Sequence, residues 1–407
     1  MIHNVMTAMD NGKDLARRLP AIDALRGLVM IIMALDHVRD FVSRDAMLFS
    51  PTDLAKTTPA LFLTRWITHF CAPVFMLTAG MSAFLWWQRG RTRKQLSEFL
   101  LTRGLWLLLL ELVVMRVAYY FSFSLKYPVF LLVLWSLGGS MIALAALVWL
   151  PTRLLAVLSI AVLALHNCFD GVRASQFGGA APVWNVLHQQ GAFMFAGRLV
   201  IVAYPLAPWI ALIAAGFCLG QVFLMEPAAR RCILLAIGAG STLAFVALRA
   251  VNVYGDPFPW TSQKAAAYTL FSFLNCTKYP PSLDFLLMTL GPALLVLAWF
   301  DRLPFRATNP LLVLGRVPLF FFVLHFYAAH AAGAFLAWLR YGHAAFAFLS
   351  VPMPTFGGPN ERFPAGFGYD LWVVYIVWAL IVVGLYPLCR WFAGVKSRRR
   401  DWWLSYL

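Results

Sequence analysis

Asp36, His37, Arg39 and Asp40 stand together near the end of one apolar run, and Arg65 and His69 stand four residues apart in the next. Asp36 and Asp40, like Arg65 and His69, have the i, i+4 spacing that puts both side chains on one helix face. An imidazole titrates near neutral pH, with burial lowering and a carboxylate raising its proton affinity. A histidine close to an aspartate can take the proton of an amine or hydroxyl, which then attacks an acyl group. His325, in FFFVLH, supplies another imidazole, while Asp23, Arg26 and Arg316 are charges set in otherwise apolar stretches. No GxSxG elbow, HExxH pair or Walker loop occurs, so hydrolase, zincin and NTPase readings lack support. The six cysteines are scattered without CxxC or CxH pairing, so neither a disulfide framework nor a metal site is expected.

These residues must be carried by membrane-spanning helices. Of the 407 residues, 61% are hydrophobic and 12% charged, with 16 Trp and 34 Phe, against roughly 25% charged in soluble domains. The fold expected is all-α, a polytopic integral membrane protein of about ten helices. The apolar runs fall at 22–42, 60–87, 99–121, 129–149, 153–168, 198–224, 231–252, 284–300, 308–338 and 370–392. The ninth is long enough to tilt or break, with Pro318 inside it. The division expected is a tail at 1–21, one transmembrane domain at 22–394, and a basic, aromatic tail at 395–407.

A net charge of +16 raises nucleic acid as a partner, but the lysines and arginines collect in short alternate connections. Lys13, Arg17 and Arg18, then Arg89, Arg91, Arg93 and Lys94, and later Arg390, Lys396 and Arg398 to Arg400 all fall on one side. By the positive-inside rule both termini are cytoplasmic, and a lipid bilayer rather than nucleic acid is the expected partner. The first run is read as an uncleaved span, since Asp23 and Arg26 interrupt it and no small-residue cleavage site is evident. The opposite connections, 43–59, 169–197, 253–283 and 339–369, are long and rich in Gly, Pro and aromatics, a composition suited to an ordered lid. No internal repeat or pair of broken helices of the kind transporters use is legible.

At a rise of 1.5 Å per residue, His37 lies about 22 Å into a core roughly 30 Å thick, and His325 about 24 Å. His69 lies roughly 13 Å below the outer surface. All three share the outer half if their helices are neighbours. A charge at the bilayer centre costs roughly 2.5–3.5 kcal/mol on insertion scales, so so many ionisable groups in one helix pair call for a function. The plain alternative is an ion-pair network among Asp36, Arg39, Asp40 and Arg65, with His325 bonded to a neighbouring helix and Asp23 and Arg26 as anchor and cap. Arg316, about 10 Å above the inner face, calls for an anionic partner, either Asp23 or a bound phosphate.

The stretches RLPAIDALRGLVMIIMALDHVRDF, PTDL and FLTRWITHFCAPVFMLTAG, with TKYPPSLDFLLMTLGPALLVLAW from Thr277 and LGRVPLFFFVLHFYAAH from Leu314, resemble bacterial members of the heparan-α-glucosaminide N-acetyltransferase-like family (DUF1624). The resemblance implies an acetyl-CoA-dependent enzyme of the inner membrane, taking an acetyl group from cytosolic acetyl-CoA to a sugar amine on the far side. In the lysosomal members the catalytic histidine lies in the connector after the first span, and an asparagine sits near that span's end. Here the DALRG register puts His37 at the asparagine's place, and 43–59 contains no histidine. His69 falls where the family has an aspartate, four residues before Pro73. His37 is therefore the expected base with Asp36 orienting it, His69 is the second candidate, and Asp40 completes the catalytic set. Arg26, Arg316 and Asp23 are expected to bind the donor, and Arg39, Arg65, Asp53, Lys278 and His325 the acceptor, a small molecule or glycan of the envelope. Homo-oligomerisation stays open, and the competing class is a proton-coupled transporter or flippase using the same cluster.

Overall fold

The structure is a computed structural model that describes residues 19–399, 401 and 404. Most of the expected tail at 1–21, with Lys13, Arg17 and Arg18, and Arg400 in the tail at 395–407 lie outside the described residues. The principal helices are α1 (Pro20–Val42), α2 (Pro59–Thr68), α3 (Cys71–Trp87), α4 (Arg93–Leu109), α5 (Val133–Leu147), α6 (Thr152–Leu165), α7 (Leu206–Leu219), α8 (Pro227–Val251), α9 (Ala266–Leu274), α10 (Leu283–Phe300), α11 (Pro310–Arg316), α12 (Pro318–Tyr341) and α13 (Leu371–Arg398). Seven helical segments among the described residues are long and apolar enough to cross a membrane. Three other expected spans are present as helices that fall outside that set. α1 carries Asp23, Arg26, Asp36, Arg39 and Asp40; α4 carries both acids and bases; and α5 is 15 residues long.

α1 is the axis of the bundle, packing against α3, α10, α11, α12 and α13, while α3 pairs with α7, α4 with α5 and α8 with α10. The tightest crossing is between α1 and α11. A Cβ on Gly27 would lie 1.9 Å from the carbonyl oxygen of Leu311, and one on Gly315 would lie 1.8 Å from that of Asp23. The DALRG and LGRVP stretches thus meet backbone to backbone, and each needs its glycine for that approach. Much of the apolar surface of α6, α8 and α13 faces outward, as contact with lipid requires.

Prolines interrupt two of the spans; His69 and Phe70 keep helical dihedrals, so 59–87 stays one helical segment, whereas the ninth run leaves helical geometry. Pro73 cannot donate a backbone hydrogen bond to His69, and its ring crowds that carbonyl, so the helical hydrogen bonding of 59–87 is interrupted at His69–Phe70, between α2 and α3. Pro318 does the same in the ninth run, where Val317 leaves helical geometry at φ −129° and ψ 48°. α4 passes through a π-helical turn at Leu110–Met115 before its last turn, Arg116–Tyr120.

The expectation of an all-α chain needs one amendment. Three short strands, β1 (Val129–Leu131), β2 (Gly191–Phe195) and β3 (Arg198–Val202), form a sheet in the order β1-β3-β2. β1 runs parallel to β3 with Val129 opposite Val200, and β2 runs antiparallel to β3. The first residues of the runs at 129–149 and 198–224 are therefore strand. Val200, Ile201 and Val202 are β-branched, and Ala196 and Gly197 both take positive φ, 47° and 73°, as a two-residue hairpin turn requires. The long loops at this end are packed against the bundle and one another. Tyr268 and Asn275 donate to the carbonyls of Thr57 and Thr52, and Thr355 donates to the carbonyl of Asp40.

Candidate active site

α2 ends at Thr68, just before His69, and packs against α1. Asp36 forms an ion pair with Arg39 Nη1 at 2.7 Å and accepts hydrogen bonds from Arg65 Nη1 at 2.5 Å and from Thr68 Oγ1 at 3.0 Å. Arg39 Nη2 also donates to Asp40 Oδ1 at 2.8 Å. The carboxylate beside His37 is accordingly Asp40, whose Oδ2 lies 3.7 Å from His37 Nδ1, whereas Asp36 is taken up by two guanidinium groups and a hydroxyl. The carboxylate nearest His37 is therefore Asp40, about 60° round α1 from it, and not Asp36 as expected, which is held toward α2 by Arg65 and Thr68.

His37 packs against α12, with ring centroids 4.4 Å from Phe326, 5.3 Å from His325 and 6.3 Å from Phe322. His325 is fully buried and its Nδ1–H donates to the Phe321 carbonyl at 2.9 Å. In a neutral ring this leaves Nε2 as the acceptor, and among the described residues that atom has no hydrogen-bond partner. His69 is buried against Phe285, ring centroids 5.3 Å apart, and among the described residues its Nδ1 likewise has no hydrogen-bond partner. Lys278 is buried with its ammonium over the rings of Tyr204 and Tyr279, at 5.9 and 5.2 Å. It is near enough to Asp36 and His69 to act on both electrostatically. Asp36, His37, Arg39, Asp40, Arg65, His69, Lys278 and His325 thus lie together. Asp53, also expected to bind the acceptor, caps its own turn by accepting from Ala55 N at 3.0 Å and sits 4.0 Å from Lys56.

At the other end of α1 a cavity of about 300 Å³ is lined by Arg26, Met30, Met33, Met76, Ser82, Trp86, Phe99, Arg103, Met141, Arg316, Phe322 and Lys396, among others. A second hollow of about 210 Å³ shares Arg26, Ser82, Trp86 and Arg316 with it and adds Asp23 and Arg89. Arg26 is held by Asp23 at 3.2 Å, by the carbonyl of Thr78 at 3.4 Å and by Ser82 Oγ. Asp23 was one expected partner of Arg316, but Arg26 occupies it. Among the described residues Arg316 donates to the carbonyl of Ala307, at 3.3 Å, and its Nε has no hydrogen-bond partner. The N-terminus of α12 begins beside it, and Pro318 and Leu319 line the same cavity. Cationic side chains and a helix N-terminus at one mouth suit a polyanion such as the diphosphate of a nucleotide.

The two centres are joined along α1. Arg26, Met30, Met33 and His37 recur at helical spacing on one face, so the cavity runs up to Phe322, which touches His37. From Arg26 to His37 the rise is about 16 Å.

Several of these residues were not singled out from sequence. Arg89, Arg103 and Lys396 read as loop or span-end charges, and Tyr204 and Tyr279 as ordinary aromatics. Two buried ionic groups were also missed. Glu111 accepts from Tyr119 Oη at 2.6 Å and from the backbone of Leu134 at 2.9 Å, closing the N-terminus of α5. Arg249 lies 3.9 Å from Asp256 and 3.7 Å from Asp284. Lone charges within apolar runs were the available signal for Glu111 and Arg249.

Among the described residues no group of three or more His, Cys, Asp or Glu side chains is placed to hold a metal ion. A comparison with curated proteins gives no match. The family model described as heparan-alpha-glucosaminide N-acetyltransferase, catalytic, matches residues 18–255. The match takes in α1 through α8, with the whole Asp36–Arg65–His69 cluster and the Arg26 cavity wall, and stops short of the TKYPP and LGRVP stretches. More than half of the chain lies within it, and the chain belongs to the heparan-alpha-glucosaminide N-acetyltransferase catalytic family.

Proposed function

We propose that this membrane transferase moves an acetyl group from acetyl-CoA to an amine or hydroxyl of a sugar or other envelope component on the opposite side of the membrane. About ten spans, with both termini in the cytoplasm of a bacterial inner membrane, put the Arg26–Arg316 mouth on the donor side, in keeping with the positive residues gathered at that end. Arg26, Arg89, Arg103, Arg316 and Lys396 are suited to hold the nucleotide diphosphate, and Trp86, stacked on Phe99 at 4.5 Å, offers a flat apolar wall. The cavity lined by Met30, Met33 and Met76 then takes the pantetheine arm. Asp23 serves by fixing Arg26.

The observation that carries this reading is the continuous α1 face from Arg26 to His37. It leads from a basic mouth, past an apolar cavity that ends at Phe322, to a histidine beside a carboxylate. With Nδ1 turned to Asp40, His37 presents Nε2 as the general base. It takes the proton as the acceptor nitrogen or oxygen bonds to the thioester carbonyl carbon; the C–S bond breaks and the CoA thiolate leaves, to be protonated. Asp40 stabilises the imidazolium. Asp36 holds Arg39 and Arg65 in place, and His69 and His325 close the chamber around the acceptor.

Purified protein incubated with labelled acetyl-CoA and glucosamine or envelope extract should label the acceptor, and His37→Ala should abolish this while retaining CoA binding. Absence of both transfer and CoA binding in the wild type contradicts the reading. One observation favours transport instead: the ninth run is broken at Val317 and the run 59–87 is interrupted at His69–Phe70. Proton-dependent flux of a substrate through vesicles without any CoA donor would establish that alternative.

A further inference from the structure

Lys278 is 8% exposed, yet its ammonium makes no hydrogen bond and no ion pair among the described residues. Its only close neighbours of note are the faces of Tyr204 and Tyr279. The turn that carries it is built with care. Asp256 accepts from the backbone N–H and the hydroxyl of Thr277 at 2.7 and 3.0 Å on one side, and from Ser282 Oγ at 2.6 Å on the other. Lys278 also bridges to Pro281 within the turn. Asp256 is itself backed by Arg249, which donates to the carbonyls of Phe258, Ser272, Phe273 and Asn275. Asp256 and Asp284, the nearest acids on that side, are thus engaged with Arg249 and not with the lysine.

The charges around Lys278 do not balance. Arg39, Arg65 and Lys278 face Asp36 and Asp40, three fixed cations against two carboxylates, and the other titratable neighbours are His37, His69, Cys71, Tyr204 and Tyr279. Arg65 and Asp40 keep 15% and 23% of their side-chain surface exposed, so the cluster is not sealed. A buried cation without an ion pair of its own, held by an anchored turn where the nearby carboxylate Asp36 is already shared by two arginines, calls for an anion from outside the chain.

We propose that the acceptor carries an anionic group, a phosphate or a carboxylate, and that Lys278 with Arg65 binds it. This rests on the acetyl-transfer reading only for what the acceptor then undergoes; the recognition itself needs no donor. Asp256 is a positioning residue that acts through the turn at 277–282.

The test is binding by full-length protein in lipid nanodiscs, without donor, using glucosamine, glucosamine 6-phosphate and muramic acid as probes. The wild type should bind at least one of the two anionic probes tenfold or more tightly than glucosamine, and the stronger one identifies phosphate or carboxylate as the recognised group. Lys278→Arg should keep the preference, while Lys278→Met and Lys278→Gln should erase it. Should either neutral variant fail to fold, the other and the wild-type comparison still decide. Equal affinity for all three probes, no binding of either anionic probe, or a preference that survives in a folded neutral variant overturns the proposal. A preference lost in Arg316→Met but kept in Lys278→Met would put the anion at the donor mouth and also overturn it. Since no acetyl group is moved, failure here is separate from failure of the transferase reading.

Discussion

At the scale of single residues, the two aspartates of α1 have different work although they lie one turn apart. Asp36 compensates Arg39 and Arg65, so Asp36→Asn leaves two guanidinium groups poorly matched in a buried setting. Breaking a buried pair in this way costs about 3–5 kcal/mol. Thermal unfolding in detergent should show a lower midpoint for Asp36→Asn than for Asp40→Asn, because Asp40 is more exposed and holds one arginine. Activity should rank them otherwise, with Asp40→Asn lowering kcat in a protein of near-normal stability. His37→Ala should lower kcat by about 10²–10⁴-fold, the usual contribution of a general base. A His69→Ala variant that loses as much as His37→Ala, with stability retained, would move the base to His69.

At the scale of elements, the site depends on two prolines and two glycines. Pro73 and Pro318 interrupt the helical hydrogen bonding beside His69 and Arg316, and Gly27 and Gly315 let α1 and α11 touch through their backbones. Gly27→Ala would push a methyl group onto the Leu311 carbonyl oxygen, which is backbone and cannot swing aside. Overpacking of this kind costs roughly 1–3 kcal/mol or more, so the unfolding midpoint should fall and CoA binding weaken together, because the same crossing forms the floor of the donor mouth. Unchanged stability would show that the crossing is looser than the backbone distances indicate. Most of the helices were legible from apolar runs, since one periodicity and one composition define a span. The β-hairpin at Ala196–Gly197 was not, because its strands are as apolar as the helix that follows. The break at Pro318 could be read from the proline and the length of the run, whereas Pro73 was read as a family landmark and its effect on His69 was not foreseen.

At the scale of the whole molecule, the arrangement puts basic and acid–base centres at opposite ends of one helix. The histidines could be placed at a common depth by counting residues, and His37 and His325 do meet. Which carboxylate reaches which histidine could not be read, because that depends on the rotation of α1 against α2 and α12. Lys278 and the Arg249–Asp256 tie lie far apart in sequence and come together only through the folded loops. If both termini are cytoplasmic, a single cysteine replacing Ser350, placed in a chain freed of its native cysteines, should react with a membrane-impermeant maleimide from the periplasmic side in intact cells. One replacing Ser397 should react only after the membrane is opened. The reverse pattern would invert the topology and with it the donor side.

The central claim is that His37 serves a transfer that crosses the membrane, with donor and acceptor kept on opposite sides. Vesicles holding the protein in a single orientation can be given labelled acetyl-CoA on the side of the Arg26–Arg316 mouth and an amino-sugar acceptor only on the other. The account predicts label on the acceptor across the bilayer for the wild type and its loss in His37→Ala with CoA binding intact. Acceptor labelled equally well by the His37→Ala protein, or labelled only when donor and acceptor share a side, would contradict it.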